Sequence, residues 1–354
     1  MLVLTELLKG VLEVLVFFLL CAYYTVEASV RFLLVPLRVR AKSVAGEVAL
    51  ITGGGSGIGR LLAVSLAAKG ATVVVLDINQ TGAEETSSII KSSGGRSFSY
   101  KCDISNREDI YRTAKKVKEE VGTVRILINN AGIVSGKNLL DTPDVMVQKT
   151  FDVNVLAHFW TAKAFLPDMV NDNHGHIVTI ASLAGLVGVN QLADYCASKF
   201  AVVGFDEALR LELEVSGING VHTTVVCPYY INTGMFEGVK SRLFPILEPA
   251  YVVDKIVAAI LTNDKYLIIP SYLKIFIALK YIFPWNCSNL FLRILIAQTM
   301  EEFGDLHKGA IKKEETLSGL QERDDIIKRK GDQGAEGLGQ SFRVRCPCPT
   351  ERKP

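Results

Sequence analysis

Neither sign of charge is in excess along these 354 residues: 39 lysines and arginines face 37 acidic residues, a formal net charge of +2. That balance provides no basic field able to track a phosphate backbone, so nucleic acid is excluded as the main partner. Cysteine is scarce and has no framework spacing. Cys21, Cys102, Cys196, Cys227, Cys287, Cys346 and Cys348 are odd in number, scattered, and mostly inside apolar runs. This excludes a disulfide scaffold and fits reduced thiols facing a cytosolic redox environment. Cys346-Pro-Cys348 has no second pair of ligands nearby, so no metal site is expected. An unbroken apolar stretch of membrane-spanning length is also missing near the N-terminus. Between Gly10 and Val26 only Glu13 is charged, and the uninterrupted run VLVFFLLCAYYTV has 13 residues, short of the roughly 20 that cross hydrocarbon.

That N-terminal segment is nonetheless membrane-seeking. Tyr23 and Tyr24 stand where an interfacial aromatic belt would lie, and Arg31, Arg38, Arg40 and Lys42 follow, which places the positive side, and so the main domain, in the cytosol. An uncleaved signal anchor, a monotopic helix or hairpin, and a cleaved signal peptide all fit. Cleavage is disfavoured because no small-x-small site closes the run.

After Lys42, apolar strands alternate with amphipathic helices: EVALIT, a helix over 57–69, TVVVLD, a helix over 81–92, then strands RILIN, GHIVTI and VHTTVV. Near-continuous apolar strands separated by helices predict an α/β fold, a doubly wound parallel sheet covered on both faces, with ligands beyond the carboxyl ends of its strands. The organisation expected is a membrane anchor over 1–42, the α/β domain over 43–270, an apolar extension over 271–300, and a polar tail over 301–354. The opening of the apolar stretch 266–297 suits a last strand. The remainder suits a cap on the substrate site, a membrane-interface segment with Lys274, Lys280 and Arg293 snorkelling, or an ordinary core helix. In the tail, 11 acidic and 11 basic residues with few apolar ones predict disorder.

The first strand runs into ITGGGSGIGR, where Gly53, Gly55, Ser56, Gly57, Ile58 and Gly59 separate strand from helix. Glycines there let the backbone approach a pyrophosphate, and the helix start offers it free N–H groups. The second strand ends in Asp77, about 20 residues on, where a carboxylate accepts from ribose hydroxyls and repels a 2′-phosphate. Ile78 and Asn79 bring no arginine, so NAD is expected rather than NADP. Tyr-x-x-x-Lys occurs three times, at Tyr111/Lys115, Tyr195/Lys199 and Tyr251/Lys255. On a helix each pair shares a face, and spacing alone does not choose between them.

Taken together, Thr52-Gly-x-x-x-Gly57-x-Gly59, Asn129-Asn-Ala-Gly132, Asn154, Ser182 and Tyr195-x-x-x-Lys199 resemble the short-chain dehydrogenase/reductase family from about Gly46 to Ile269. The resemblance implies a Rossmann fold, a nicotinamide dinucleotide as cofactor, which Asp77 narrows to NAD, and a homodimer. It chooses Tyr195, because the family's serine lies thirteen residues before its tyrosine and Ser182 does so here, whereas Phe98 and Gly238 precede the other two. It implies Tyr195 as proton acceptor, assisted by the Lys199 ammonium, which also holds ribose hydroxyls. Ser182 would bond the substrate oxygen, and Asn154 would keep a water in a relay to Lys199. By the same resemblance Asp103 and Ile104 flank the adenine, and Asn130, Ala131 and Gly132 line the adenosine-ribose side. Pro228, Ile231 and Thr233 contact the cofactor. Pro228-Tyr229 departs from the family's commoner Pro-Gly, and Tyr229 would narrow the nicotinamide side. His158 and Trp160 read as core residues.

Beyond Thr233, GMFEGVKSRLFPILEP supplies Met235, Phe236, Leu243, Phe244, Ile246 and Leu247 in a Gly- and Pro-punctuated segment. This reads as an apolar lid, or alternatively a dimer contact. The substrate expected is a lipophilic alcohol, all-trans-retinol foremost, a 17-beta-hydroxysteroid or other lipid alcohol second. A non-catalytic protein of a lipid-droplet or endoplasmic-reticulum surface is the rival from another class.

Overall fold

A computed structural model describes residues 2–34, 41–236, 238–239, 241, 244–287 and 289–290. The tail over 301–354 with Cys346 and Cys348, and also Arg38, Arg40, Leu243 and Arg293, lie outside the described residues.

The chain opens with helix α1, Leu2–Leu34. It is continuous where the apolar run looked short, because Glu13 and Lys9 interrupt the composition without breaking backbone hydrogen bonds. Its 19-residue stretch Lys9–Glu27 is long and apolar enough to cross a membrane, and none of it is buried in the protein. The described cysteines are all free thiols, Cys102, Cys196 and Cys227 buried and Cys21 and Cys287 exposed.

Seven strands follow: β1 Val48–Thr52, β2 Thr72–Asp77, β3 Ser97–Lys101, β4 Val124–Asn129, β5 Gly175–Ile180, β6 Val221–Pro228 and β7 Tyr266–Ile269. They form one parallel sheet in the order β3-β2-β1-β4-β5-β6-β7. This is the doubly wound Rossmann arrangement. The order reverses between β1 and β4, which opens a crevice at their carboxyl ends. Side chains alternate between two cores. From β1 and β2, Ala49, Ile51, Val73 and Val75 pack on one face, and Leu50, Val74 and Leu76 on the other, as the two-residue period of a strand requires.

Between the strands run α2 Gly57–Ala67, α3 Gln80–Ser92, α4 Arg107–Glu120, α5 Asp144–Phe151, α6 Ala157–Asn171, α7 Ala193–Val215 and α8 Pro249–Thr262. A five-residue π-helical turn, Asp152–Leu156, joins α5 to α6, and α9, Leu273–Ile282, follows β7. The strand β3 had no apolar run to announce it. Only Phe98 and Tyr100 are apolar there, because β3 is an edge strand that is mostly half-buried. At the opposite rim of the sheet from the crevice, Lys42 donates its backbone N–H to Leu261 O (2.8 Å). Its Nζ lies 2.9 Å from His176 Nδ1, and His176 Nε2 lies 2.8 Å from Thr224 Oγ1. Burial pushes His176 well below its ordinary value, so the ring is a neutral acceptor for the lysine. The chain leaving α1 is thereby fastened to the domain.

Candidate active site

Beyond the carboxyl ends of the strands lies a cleft of about 580 Å³. At one end is the turn after β1. Gly53 (φ +64°) and Gly57 (φ +53°) take left-handed backbone conformations, and a Cβ at Gly57 would meet only open space. The Ser56 side chain makes no capping bond at the start of α2. Gly59 is required for a different reason: a Cβ there would lie 2.2 Å from Gly53 O and 2.6 Å from Asn130 Nδ2. That side-chain amide donates to Thr52 O and Gly53 O, and the Thr52 hydroxyl accepts from the N–H groups of Asn130 and Ala131. The carboxyl ends of β1 and β4 are thus fastened to each other around an open cradle of the kind that fits a pyrophosphate. Gly59→Ala must displace this backbone. It is expected to raise the Kd for NADH about tenfold or more, measured by fluorescence titration.

Asp77 is held by backbone. Its Oδ2 accepts from Gly55 N and its Oδ1 from Asn79 N, both at 2.9 Å, and each oxygen keeps a further lone pair. Gly55 does not line the cleft itself. Its role is to let the carboxylate come close, since a Cβ there would lie 2.8 Å from Oδ2. Arg60 faces away, bonded to Gly55 O, Thr86 Oγ1 and Glu85. The only cations among the described residues lining the cleft are therefore Lys149 and Lys199.

At the other end stand Ser182, Tyr195 and Lys199, all lining the cleft. Ser182 leaves the end of β5, and its Oγ accepts from Ala184 N at 3.1 Å. Tyr195 and Lys199 rise from the first turns of α7 and are buried. Lys199 Nζ donates to Ile180 O at 2.9 Å and lies 5.6 Å from the centre of the Tyr195 ring. Burial lowers Lys199 to about 8. Burial pushes the Tyr195 phenol up, against the hydrogen bond from Ser182 that favours ionisation. The phenol is therefore protonated at neutral pH.

Asn154, in the π-helical turn, does not line the cleft. Its Oδ1 accepts from Ile133 N, and its Nδ2 donates to Ile133 O and to Ser198 Oγ, which pins the segment after β4 onto α7. A Cβ on Gly132 would stand 3.3 Å from Asn154 Oδ1 and 3.6 Å from Lys199 Nζ, so a small residue separates the two groups.

The cleft also receives Gly53, Ser56, Gly57, Ile58, Gly59, Asp77, Asp103, Ile104, Asn130, Ala131, Gly132, Pro228, Ile231 and Thr233. The other two Tyr-x-x-x-Lys pairs lie apart from it. Tyr111 is partly exposed on α4, and Tyr251 is partly exposed on α8 beneath its own Lys255. His158 is buried, and burial, with Lys199 adding to it, lowers it to about 3. It is neutral at physiological pH.

Two residues had no signal in the sequence. Lys149, on α5, lines the cleft with Nζ 2.5 Å from Ser105 Oγ and 3.6 Å from Asp103 Oδ2. Asp194 is buried and accepts from Ser135 Oγ and Thr150 Oγ1, tying α5 and the segment after β4 to the first turn of α7. Only tertiary proximity reveals either one. An acidic side chain at the start of α7 is also favoured by the helix dipole.

The apolar segment after Thr233 forms the third wall. Phe236 packs edge-on against Tyr195, with ring centroids 5.8 Å apart, and against Tyr230 at 5.3 Å. Tyr229 is buried, its hydroxyl 2.9 Å from Ser241 Oγ. Leu247 is buried and pairs with Ile231, closing the base of the segment.

Known proteins share this arrangement. The short chain dehydrogenase family matches residues 47–243. The chain is 52% identical to human epidermal retinol dehydrogenase 2 over 272 residues, covering 75% of this chain and 88% of that protein. It is 44% identical to human 17-beta-hydroxysteroid dehydrogenase 13 over 284 residues, covering 80% and 94%. Among solved structures, a short chain dehydrogenase/reductase from Burkholderia phymatum in complex with NAD superposes with a TM-score of 0.63 at 27% identity, covering 68% of this chain and 95% of that one. A metagenomic short-chain oxidoreductase in complex with NADP superposes with a TM-score of 0.55 at 29% identity, covering 64% and 96%. With more than half of its length matched by the family and 52% identity to a relative over 75% of the chain, the chain belongs to the short chain dehydrogenase family of oxidoreductases.

Proposed function

We propose that this protein is a membrane-attached, NAD-dependent dehydrogenase that oxidises a lipophilic alcohol, all-trans-retinol foremost, to its aldehyde. The observation that carries the reading is the meeting, in one cleft, of a dinucleotide cradle, the Ser182–Tyr195–Lys199 group and an aromatic wall. When bound, the oxidised nicotinamide supplies a positive charge and the two-electron acceptor for the hydrogen leaving the alcohol carbon. Ser182 holds the alcohol oxygen, and Tyr195 takes its proton. Lys199 holds ribose hydroxyls and supplies charge beside the phenol. Asn154 positions the backbone of Ile133, and through it the floor of the site. Asp103 and Ile104 frame the adenine.

The preference for NAD rests on Asp77, whose carboxylate sits at the ribose end while Arg60 is engaged elsewhere. The lipophilic substrate rests on the wall of Phe236, Tyr229 and Tyr230 and on the names of the relatives, and the similarity to a 17-beta-hydroxysteroid dehydrogenase supports a steroid alcohol as the second reading. Membrane attachment rests on α1, with 1–42 as anchor, 43–270 as the dehydrogenase domain facing the cytosol at the endoplasmic reticulum or a lipid droplet, and 271–300 as an apolar extension. The exposed Phe159, Leu211 and Val215 on α6 and α7 suit a homodimer contact.

Membranes bearing the protein, given retinol or estradiol with either dinucleotide, test the reading. Retinol turnover with NAD is expected to exceed that with NADP at least tenfold, and Asp77→Ser is expected to remove most of that preference. Equal rates with both dinucleotides in the native protein would refute the role of Asp77, and faster turnover of estradiol would establish the second reading.

A further inference from the structure

A helix that is apolar on every side is built for an apolar surround. On α9, Leu273, Phe276 and Ile277 turn inward, Leu273 buried and the other two half-buried against the core. The outer face is no more polar. Ile275 (64%), Tyr281 (71%), Ile282 (72%) and Trp285 (69%) are exposed, together with Phe283. Neither α9 nor the turn after it contains an Asp or Glu, and Lys274 is an exposed cation on the helix. An exposed apolar face with an aromatic end and cations only is complementary to anionic phospholipid headgroups above acyl chains.

The position of this face gives it a function. Because α9 follows the carboxyl end of β7, it lies on the rim where the cleft opens. A run of aromatic contacts connects the two. Tyr272, just before α9, and Phe276 within it meet Phe244 at 5.5 and 5.8 Å, Phe244 meets Tyr229 at 6.0 Å, and Tyr229 meets Tyr230 at 4.9 Å. Tyr230 then leads through Phe236 to Tyr195. Lys280 braces the helix by donating to Leu186 O at 2.7 Å, in the turn that follows Ser182. Lys42, the attachment point of the chain leaving α1, is seated on β5 and the end of α8 at the rim opposite the cleft. The seven residues 35–41 reach up to about 25 Å, more than the roughly 20 Å length of a six-residue strand such as β5, so α1 and α9 can engage one bilayer.

We propose that α9 and the turn after it are a second membrane contact, independent of α1, that seats the mouth of the cleft on a phospholipid bilayer and passes the substrate along the aromatic run to Tyr195. The route rests on the lipophilic-alcohol reading above, but the contact can be read without it. The full chain, inserted through α1 into phosphatidylcholine–phosphatidylserine vesicles, carries only two tryptophans, Trp160 and Trp285. With bromines on the acyl chains near the headgroups, the native protein is expected to lose emission relative to plain vesicles. Trp285→Phe is expected to show no such loss. Ile275→Glu combined with Ile282→Glu is expected to abolish the quenching and to lower turnover of vesicle-borne retinol about tenfold, leaving turnover of a short, water-soluble alcohol unchanged. Equal emission of the native protein in both vesicle types overturns the contact, whatever the enzyme oxidises. Quenching with unchanged retinol turnover in the double variant overturns the route. Absence of retinol turnover in the native protein, with quenching intact, refutes the substrate and leaves the contact standing.

Discussion

Tyr195→Phe is expected to reduce kcat/KM for alcohol oxidation by roughly 10³- to 10⁴-fold while leaving the Kd for NADH within about twofold. The substitution removes one oxygen and keeps the ring, so the packing on Phe236 and the burial of the first turn of α7 survive. No neighbour can take over. The Lys199 amine is committed to Ile180 O, and Ser182 is a hydroxyl without a base of its own, its Oγ already accepting from Ala184 N. His158, the one imidazole on the adjoining helix, is buried and not among the residues lining the cleft. The remaining rate then comes from positioning alone. Steady-state kinetics with fluorescence titration of NADH separates the two terms. A variant retaining a tenth of native activity would show that the proton leaves by another route. A variant that lost NADH binding would instead place Tyr195 in the cofactor site.

The fold was legible because its signals are local. The apolar runs of β2 and β5 coincide with the strands observed, TVVVLD and GHIVTI, since strands buried on both faces read as mainly apolar runs without a solvent-facing alternation to blur them. Edge strand β3 was missed for the converse reason. At the site, glycine spacing located the cradle but not the division of labour within it. Gly57 is needed for its left-handed backbone, Gly59 for a backbone contact, and Gly55 for the approach of Asp77. Lys149 and Asp194 act through partners 44 and 59 residues distant, a separation that no periodicity encodes. The sequence also could not show that burial holds Tyr195 protonated. Spacing puts an ammonium near a phenol, but the desolvation of both depends on the walls around them.

Lys199→Met is expected to move the rising limb of the pH–kcat/KM profile upward by about two units or more, and so to cost roughly 100-fold in rate at pH 7.5. The direction follows from the proton count. An ammonium beside a phenol and an amine beside a phenolate differ by two protons, and the state between them is either a neutral amine beside a phenol or its tautomer, an ammonium beside a phenolate. Burial disfavours the isolated charge of Lys199 and lowers it to about 8. The pair therefore releases its first proton near that pH, although burial pushes Tyr195 upward. The ammonium–phenolate tautomer of that state is the species that accepts the alcohol proton, and activity rises as pH increases through about 8. Without the amine, the phenol must ionise alone in a buried site, so the same limb is reached only at higher pH. A profile recorded at saturating NAD checks this. A limb that stays in place in Lys199→Met, with rate lost equally at every pH, would confine the amine to holding the ribose. A displaced limb assigns it the base strength of Tyr195.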